Sequence, residues 1–296
     1  MPKDYKAEYV SFLKGFLKIE RPLKVVFDSG CGPAGAIVRD VFTGSSIDMT
    51  IINETIDPDF KTRAPNPLLP EAADSCANAI KEHNADFGIM FDADADRAIF
   101  VNPKGELVPA YLIAVLLSKE MKPPYVVDEL VYESLRFLGV IPEDGLVPSR
   151  IGAYFIKKLM KEGGYSFGAE YSGHYYYKYF FGLDSGIFTA ITVINALSRQ
   201  TKSFLELQEE IGDHEISTTE ISTAGKDMNI LYAALEEKYG KEAKRIEKRD
   251  GVTFVFDECW TNIRSSNTEP ILRVVAGGTK AMKQRIEDIE KFVREN

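Results

Sequence analysis

Three kinds of residue are scarce in this chain: it has three cysteines, three histidines and a single tryptophan. Cys31, Cys76 and Cys259 are scattered and odd in number, and they form no Cys-x-x-Cys pair. This argues against a disulfide framework or a cysteine-built zinc centre and fits a reducing cytoplasm. No run approaches about 18 uninterrupted apolar residues, the length a membrane helix needs. The first residues also lack the apolar segment of a secretory leader. Positive charge is in deficit, with 36 Lys and Arg against 45 Asp and Glu and a net charge of −9. That balance disfavours nucleic acid and anionic membranes as partners. It leaves room for a small anion in a locally basic pocket.

What is present is an ordinary globular composition, 45% apolar over 296 residues, long enough for two or three domains. In residues 1–106, β-rich runs at 23–27, 49–52 and 87–91 alternate with helical spacing at 9–17, 34–42 and 71–83. That alternation predicts an α/β domain with a mostly parallel sheet. Residues 107–214 read as a second α/β domain, with helices at 110–120 and 152–161, strands at 125–127 and 165–170, and a helix after Gly186. In residues 215–296 strands cluster and helices flank them, which predicts a smaller α+β domain; Asp250-Gly251 marks a hairpin turn there.

Three polar loops carry chemistry. Asp92-Ala93-Asp94-Ala95-Asp96-Arg97 follows the apolar run 87–91. Alternate carboxylates converge when such a loop curves, and hard oxygen donors suit Mg²⁺, Mn²⁺ or Ca²⁺. An EF-hand is ruled out, because Arg97 stands where its turn glycine belongs and Pro103 where its bidentate Glu belongs. Gly168-Ala169-Glu170-Tyr171-Ser172-Gly173-His174 places a carboxylate and a hydroxyl two residues apart, as partners for vicinal sugar hydroxyls. Arg264-Ser265-Ser266-Asn267-Thr268-Glu269-Pro270, with Arg273 beyond, offers hydroxyls, an amide and two guanidinium groups to a phosphate. Each loop has a plainer reading as a solvated turn. A fourth pattern, Gly30-Cys31-Gly32-Pro33-Ala34-Gly35 with Glu54 downstream, matches the dinucleotide fingerprint, although Pro33 is unusual inside it. It supports an NAD-dependent oxidoreductase as the alternative, and leaves the three loops unexplained.

Taken together and in order, the three loops resemble those of the α-D-phosphohexomutase family, the phosphoglucomutase/phosphomannomutase type. Pro65-Asn66-Pro67-Leu68 and Phe181-Gly182-Leu183-Asp184-Ser185-Gly186 resemble further stretches of that family. The resemblance covers nearly the whole chain. It implies two mixed α/β domains and a smaller α+β domain around a cleft. The implied activity is transfer of phosphate between the 1- and 6-positions of a hexose, through a bisphosphate. Asp92, Asp94 and Asp96 would hold Mg²⁺. Glu170 and Ser172 would hold sugar hydroxyls, and Arg264, Ser266, Asn267, Thr268 and Arg273 the distal phosphate. Arg97, Arg150 and His174 stand as catalytic candidates. Arg150 occupies a place where relatives often have lysine, and arginine is a poor general base. The family's first domain, whose Thr-x-Ser-His-Asn-Pro loop carries the phosphoserine, has no counterpart in this sequence, since none of His83, His174 and His214 follows a serine. The expected partners are hexose phosphates, together with a separate chain bearing the phosphoserine domain. A non-catalytic sugar-phosphate-binding remnant remains a second alternative.

Overall fold

The computed structural model describes residues 4–212, 214–223, 226–266 and 269–295, apart from the side chain of Pro70. In chain order the elements are α1 (Tyr5–Lys14), β1 (Leu23–Asp28), α2 (Ala34–Phe42), β2 (Ile47–Ile52), α3 (Asp74–His83), β3 (Phe87–Phe91), β4 (Ala98–Val101), β5 (Leu107–Val108) and α4 (Ala110–Ser118). They continue as β6 (Tyr125–Asp128), α5 (Glu129–Leu138), β7 (Leu146–Ser149), α6 (Ala153–Gly163), β8 (Phe167–Ala169), β9 (Tyr175–Tyr177), β10 (Leu183–Asp184), α7 (Gly186–Ser198) and α8 (Phe204–Ile211). The last are β11 (Glu215–Ser222), α9 (Met228–Tyr239), β12 (Arg245–Glu247), β13 (Val252–Val255), β14 (Cys259–Ser265), β15 (Ile271–Gly278) and α10 (Ala281–Glu295). They form two compact units: Met1–Val126 with Lys157–Glu210, and Val127–Ile156 with Ile211–Asn296. Among the described residues no helix is long and apolar enough to cross a membrane.

The first unit holds a sheet in the order β2-β1-β3-β4-β5. β1 runs parallel to β2 and β3, whereas β3–β4 and β4–β5 pair antiparallel. The sheet is therefore mixed, where alternation predicted a mostly parallel one. The cause is local. The six residues 92–97 reverse the chain tightly, so β4 returns beside β3 without the crossover helix that a parallel partner requires. Every residue of β3 and β4 is buried, which explains their unbroken apolar runs. α3 packs against β1, β2 and β3, and α7 against β3 and β4. In the same unit β8, β9 and β10 form an antiparallel meander. Tyr177 of β9 donates to Thr189 Oγ1 on α7 at 3.1 Å, and Ser185 caps α7 by accepting from the Phe188 amide.

The second unit is built on an antiparallel sheet in the order β11-β15-β14-β13-β12. Leu235 of α9 and Ile286 and Ile289 of α10 pack with Phe254, Ile263 and Val274 of the sheet. Thr253 and Asn262 alternate with Phe254 and Ile263 and so point to the opposite face. α5, a helix that the sequence reading does not anticipate, packs on β14 and β15. Asp128 caps it by accepting from the Val131 amide at 2.8 Å, and Gly139, at φ 63°, ends it. The helix brings two carboxylates, Glu129 and Glu133, that are 0% and 2% exposed. Arg249 and Thr253 both donate to Glu129, and Arg245 donates to both oxygens of Glu133, at 2.7 and 2.5 Å. Removing one partner of such a buried pair costs about 3–5 kcal/mol, because it strands the other charge.

His214 lies in this unit beside the rings of Phe137, at 5.2 Å, and Trp260, at 6.4 Å. Burial pushes its imidazole down to about 4. Between that value and about 6.5, the ordinary pKa of histidine, the unfolded chain binds the proton and the folded chain does not. Stability is therefore complete above this window and falls with pH inside it, by up to about 3 kcal/mol. Urea unfolding followed by the fluorescence of Trp260, the single tryptophan, is expected to show the loss between pH 7 and pH 4. His214→Leu is expected to remove most of it; an equal loss in parent and variant would exclude His214 as the cause.

Candidate functional site

The turn between β3 and β4 carries the three aspartates. Asp92 is buried, Asp96 half-buried and Asp94 exposed, and one oxygen from each lies within 4.8 Å of the others. Ala95 adopts φ 62°, and its amide donates to Asp92 O at 3.3 Å, which curls the loop and gathers the carboxylates. Arg97 grips Asp92, with Nε 2.6 Å from Oδ2 and its own amide 3.2 Å from Oδ1. Arg97 Nη1 also donates to Asn66 Oδ1 at 3.3 Å, so the Pro65–Leu68 link supports the same guanidinium. Burial raises the Asp92 carboxyl, and Arg97 offsets only part of that. The donor set is all oxygen, and each Asp92 oxygen keeps a second lone pair. The residues present therefore fit a hard divalent ion.

The turn between β8 and β9 carries Glu170, Ser172 and His174. Glu170 is 6% exposed. Its Oε1 accepts from Ser172 Oγ at 2.7 Å and its Oε2 from Tyr176 at 3.0 Å. Ser172 Oγ in turn lies 2.8 Å from His174 Nδ1. Tyr176, which no sequence signal singled out, thus orients the carboxylate from two residues beyond the loop.

Both turns belong to the first unit, and the chain joins them. Arg97 and His174 form an antiparallel bridge, the Ala98 amide donates to Gly173 O at 3.0 Å, and the Gly186 amide donates to Ala95 O at 2.9 Å. Side chains follow: His174 Nε2 is 3.3 Å from Asp96 Oδ1. Burial works against a charged His174, but the contact with Asp96 and the nearby Glu170 and Asp184 carboxylates outweigh it and raise the imidazole above its usual value. The same contact lowers Asp96 against the opposing effect of burial. Asp184 lies at the edge of this group, paired with Lys157 Nζ at 2.7 Å. It stands in the 181–186 run that carries part of the resemblance, where the sequence reading gave it no role.

The remaining candidates lie in the second unit. Arg264 on β14 and Arg273 on β15 are direct cross-strand partners. Like charges so placed repel; among the described residues Arg273 forms ion pairs, with Glu220 at 2.9 Å and Glu269 at 4.0 Å. Arg264 Nε is buried with no hydrogen-bond partner among the described residues. Ser266 accepts from the Glu269 amide at 3.3 Å. Asn267 and Thr268 lie outside the described residues. Arg150 sits over the Phe155 ring at 4.5 Å and 3.8 Å from Asp250 Oδ1. The Asp250-Gly251 turn also abuts Arg264, so Arg150 and Arg264 flank one turn.

The dinucleotide-like glycines have another reason. A Cβ on Gly32 would lie 2.2 Å from Ala93 O. The glycine lets this loop press its backbone against the acidic turn, a place where a bound pyrophosphate would need free amides. The alternative of an NAD-dependent oxidoreductase loses its motif to this packing.

Comparison with known proteins agrees with that geometry. Three family models match in sequence: "Phosphoglucomutase/phosphomannomutase, alpha/beta/alpha domain II" over residues 7–105, domain III over 110–213, and the C-terminal domain over 217–296. A phosphomannomutase of Escherichia coli is 30% identical over 278 residues, 90% of this chain and 61% of the relative. One of Methanocaldococcus jannaschii is 29% identical, over 91% and 61%. The chain thus spans about three-fifths of the length of these curated relatives. A phosphoglucomutase/phosphomannomutase family protein from Burkholderia thailandensis superposes with a TM-score of 0.83 at 25% identity, covering 98% of this chain and 64% of that one.

The His174–Asp96 contact has a direct test. Stabilisation from the His174 proton is complete below about 6.5 and is lost as pH rises through the raised folded value; the Asp96 contribution is lost as pH falls through its lowered value. An NMR pH titration is expected to give His174 a midpoint above 6.5 that falls in Asp96→Asn. A midpoint at or below 6.5, or one unmoved by the substitution, would contradict the contact.

Proposed function

The chain belongs to the phosphoglucomutase/phosphomannomutase family, and from that membership we propose that it serves a hexose-phosphate mutase. In this reading phosphate moves between the 1- and 6-positions of glucose or mannose phosphate through a bisphosphate. The observation that carries the reading is the Arg264–Arg273 pair. Two arginines are direct cross-strand partners, one with a buried Nε that has no hydrogen-bond partner among the described residues, in a chain of net charge −9. A phosphate satisfies both, with Ser266, Asn267 and Thr268 adding neutral donors.

The other residues take complementary roles. Asp92, Asp94 and Asp96 hold Mg²⁺, which when bound neutralises charge on the phosphoryl group in flight. Arg97, fixed by Asp92 and Asn66, presents its remaining N–H groups to the same phosphoryl oxygens. Glu170, held by Ser172 and Tyr176, accepts from sugar hydroxyls. His174 holds a proton at Nε2 and passes it to or from the reacting hydroxyl. Arg150 cannot act as a base, and its place beside the turn that flanks Arg264 suits it to the phosphate. The serine that carries phosphate between turnovers is supplied from outside these 296 residues, here read as a separate chain bearing that domain. The matched intervals support a three-domain division at 1–106, 107–214 and 215–296. Three free, buried cysteines support a cytoplasmic setting.

The test is binding and turnover measured separately. These 296 residues are expected to bind glucose 6-phosphate weakly, on the order of millimolar, and to show no mutase turnover alone with Mg²⁺ and glucose 1,6-bisphosphate. Arg264→Ala is expected to weaken binding about tenfold, more than Ser266→Ala, because charge-assisted bonds are roughly twice as strong. A coupled assay is expected to recover turnover when a relative's phosphoserine domain is added. Unchanged affinity in Arg264→Ala would remove the central support for the reading.

A further inference from the structure

One more set of donors converges in the first unit, and it is not the all-oxygen set. Asp96, His174 and Asp184 come from three separate segments, yet one carboxylate oxygen, one ring nitrogen and one further oxygen lie within 4.8 Å of one another. The hydrogen-bond relay behind His174 decides what that nitrogen offers. Ser172 Oγ gives its only proton to Glu170 Oε1. Its contact with His174 Nδ1 must then be donated by Nδ1–H. A neutral imidazole protonated at Nδ1 carries its lone pair on Nε2, the atom that faces Asp96 Oδ1 at 3.3 Å. Asp96 Oδ1 is itself buried, with no hydrogen-bond partner among the described residues. In the neutral ring two lone-pair atoms thus face one another; a proton fills the gap when the imidazole is charged, and a metal ion can fill it when the imidazole is neutral. A ring fixed through its other nitrogen, with that nitrogen's partner bound to a carboxylate, is the support that metal-ligating histidines have.

Asp184 is now balanced by the Lys157 ammonium at 2.7 Å. Lys157 is 35% exposed on α6, so its flexible stem can carry the charge out to water when a divalent ion takes its place.

We propose that Asp96, His174 and Asp184 form a second divalent-cation site, selective for a nitrogen-accepting ion of the Zn²⁺ class and sharing Asp96 with the acidic loop. Three protein donors of mixed nitrogen and oxygen type, with a further position open, suit Zn²⁺. Mg²⁺ prefers the all-oxygen set a few residues away. Because Asp96 belongs to both sets, an ion in this site withdraws a ligand from the acidic loop. The proposal rests on donor geometry and is independent of the mutase reading.

The experiment titrates ZnCl₂ into the ¹⁵N-labelled chain in millimolar MgCl₂. Only three histidines, His83, His174 and His214, contribute ring signals. At about one equivalent, His174 Nε2 is expected to move to the metal-bound range while Nδ1 keeps its proton. By calorimetry Asp184→Asn is expected to weaken Zn²⁺ binding about tenfold or more, and Asp94→Asn to change it less than about twofold. Lys157→Met, which keeps all three donors and removes the competing ammonium, is expected to tighten binding and decides the matter if Asp184→Asn does not fold. The site is overturned if His174 Nε2 does not respond, if Asp94→Asn weakens Zn²⁺ as much as Asp184→Asn, or if Lys157→Met leaves affinity unchanged or lower.

Discussion

The site depends on one backbone contact, the hydrogen bond from the Ala98 amide to Gly173 O within the Arg97–His174 bridge. It clips the β3–β4 turn to the β8–β9 turn. Residue 173 adopts φ 92°, and a Cβ there would lie 2.4 Å from Ile99 Cδ1, so only glycine lets the two turns meet without strain. Once they meet, Asp92, Arg97, Asp96 and His174 fall into register. Asp92 pairs with the arginine that ends its own turn, and Asp96 with the histidine of the other.

That register concentrates charge. Asp92, Asp94, Asp96, Glu170 and Asp184 converge in the first unit against Arg97, Lys157 and His174. Charges in partly buried positions interact several times more strongly than in water, so the surplus of carboxylates makes this a place that demands a cation. The second unit instead gathers cations, with Arg264 and Arg273 paired across the interior strands β14 and β15 and Arg150 beside the Asp250-Gly251 turn, while Arg264 Nε has no hydrogen-bond partner among the described residues. A net negative chain thus holds one locus suited to a cation and another suited to an anion, which is the pairing a metal-dependent phosphoryl transfer requires.

Sequence logic recovered what is locally encoded. The helix at 34–42 and the strand at 87–91 coincide with α2 and β3, because apolar spacing and turn residues specify each within a few positions. The acidic turn was legible as a candidate ligand set because its three carboxylates alternate within five residues, and the structure brings one oxygen from each within 4.8 Å of the others. What escaped depends on distant pairings. α5, for which the sequence reading had no element, buries Glu129 and Glu133; their cations Arg249 and Arg245 lie 120 and 112 residues away. The antiparallel return of β4 was missed because a buried apolar run does not state its direction. Tyr176 and Asp184 gain meaning only from what the fold sets beside them. The glycine pattern at 30–35 was real, but its cause is a close backbone approach.

The central claim is that the acidic turn and the histidine turn form one cation-demanding site. Mn²⁺ tests it most directly, since it suits the oxygen donors and its unpaired electrons broaden nearby proton resonances. With binding confirmed by water-proton relaxation, substoichiometric Mn²⁺ is expected to broaden the His174 ring signal well before that of His83 on α3, and Asp94→Asn to weaken the effect. A His174 signal that stays sharp while Mn²⁺ binds, or that broadens no sooner than His83, would contradict the account.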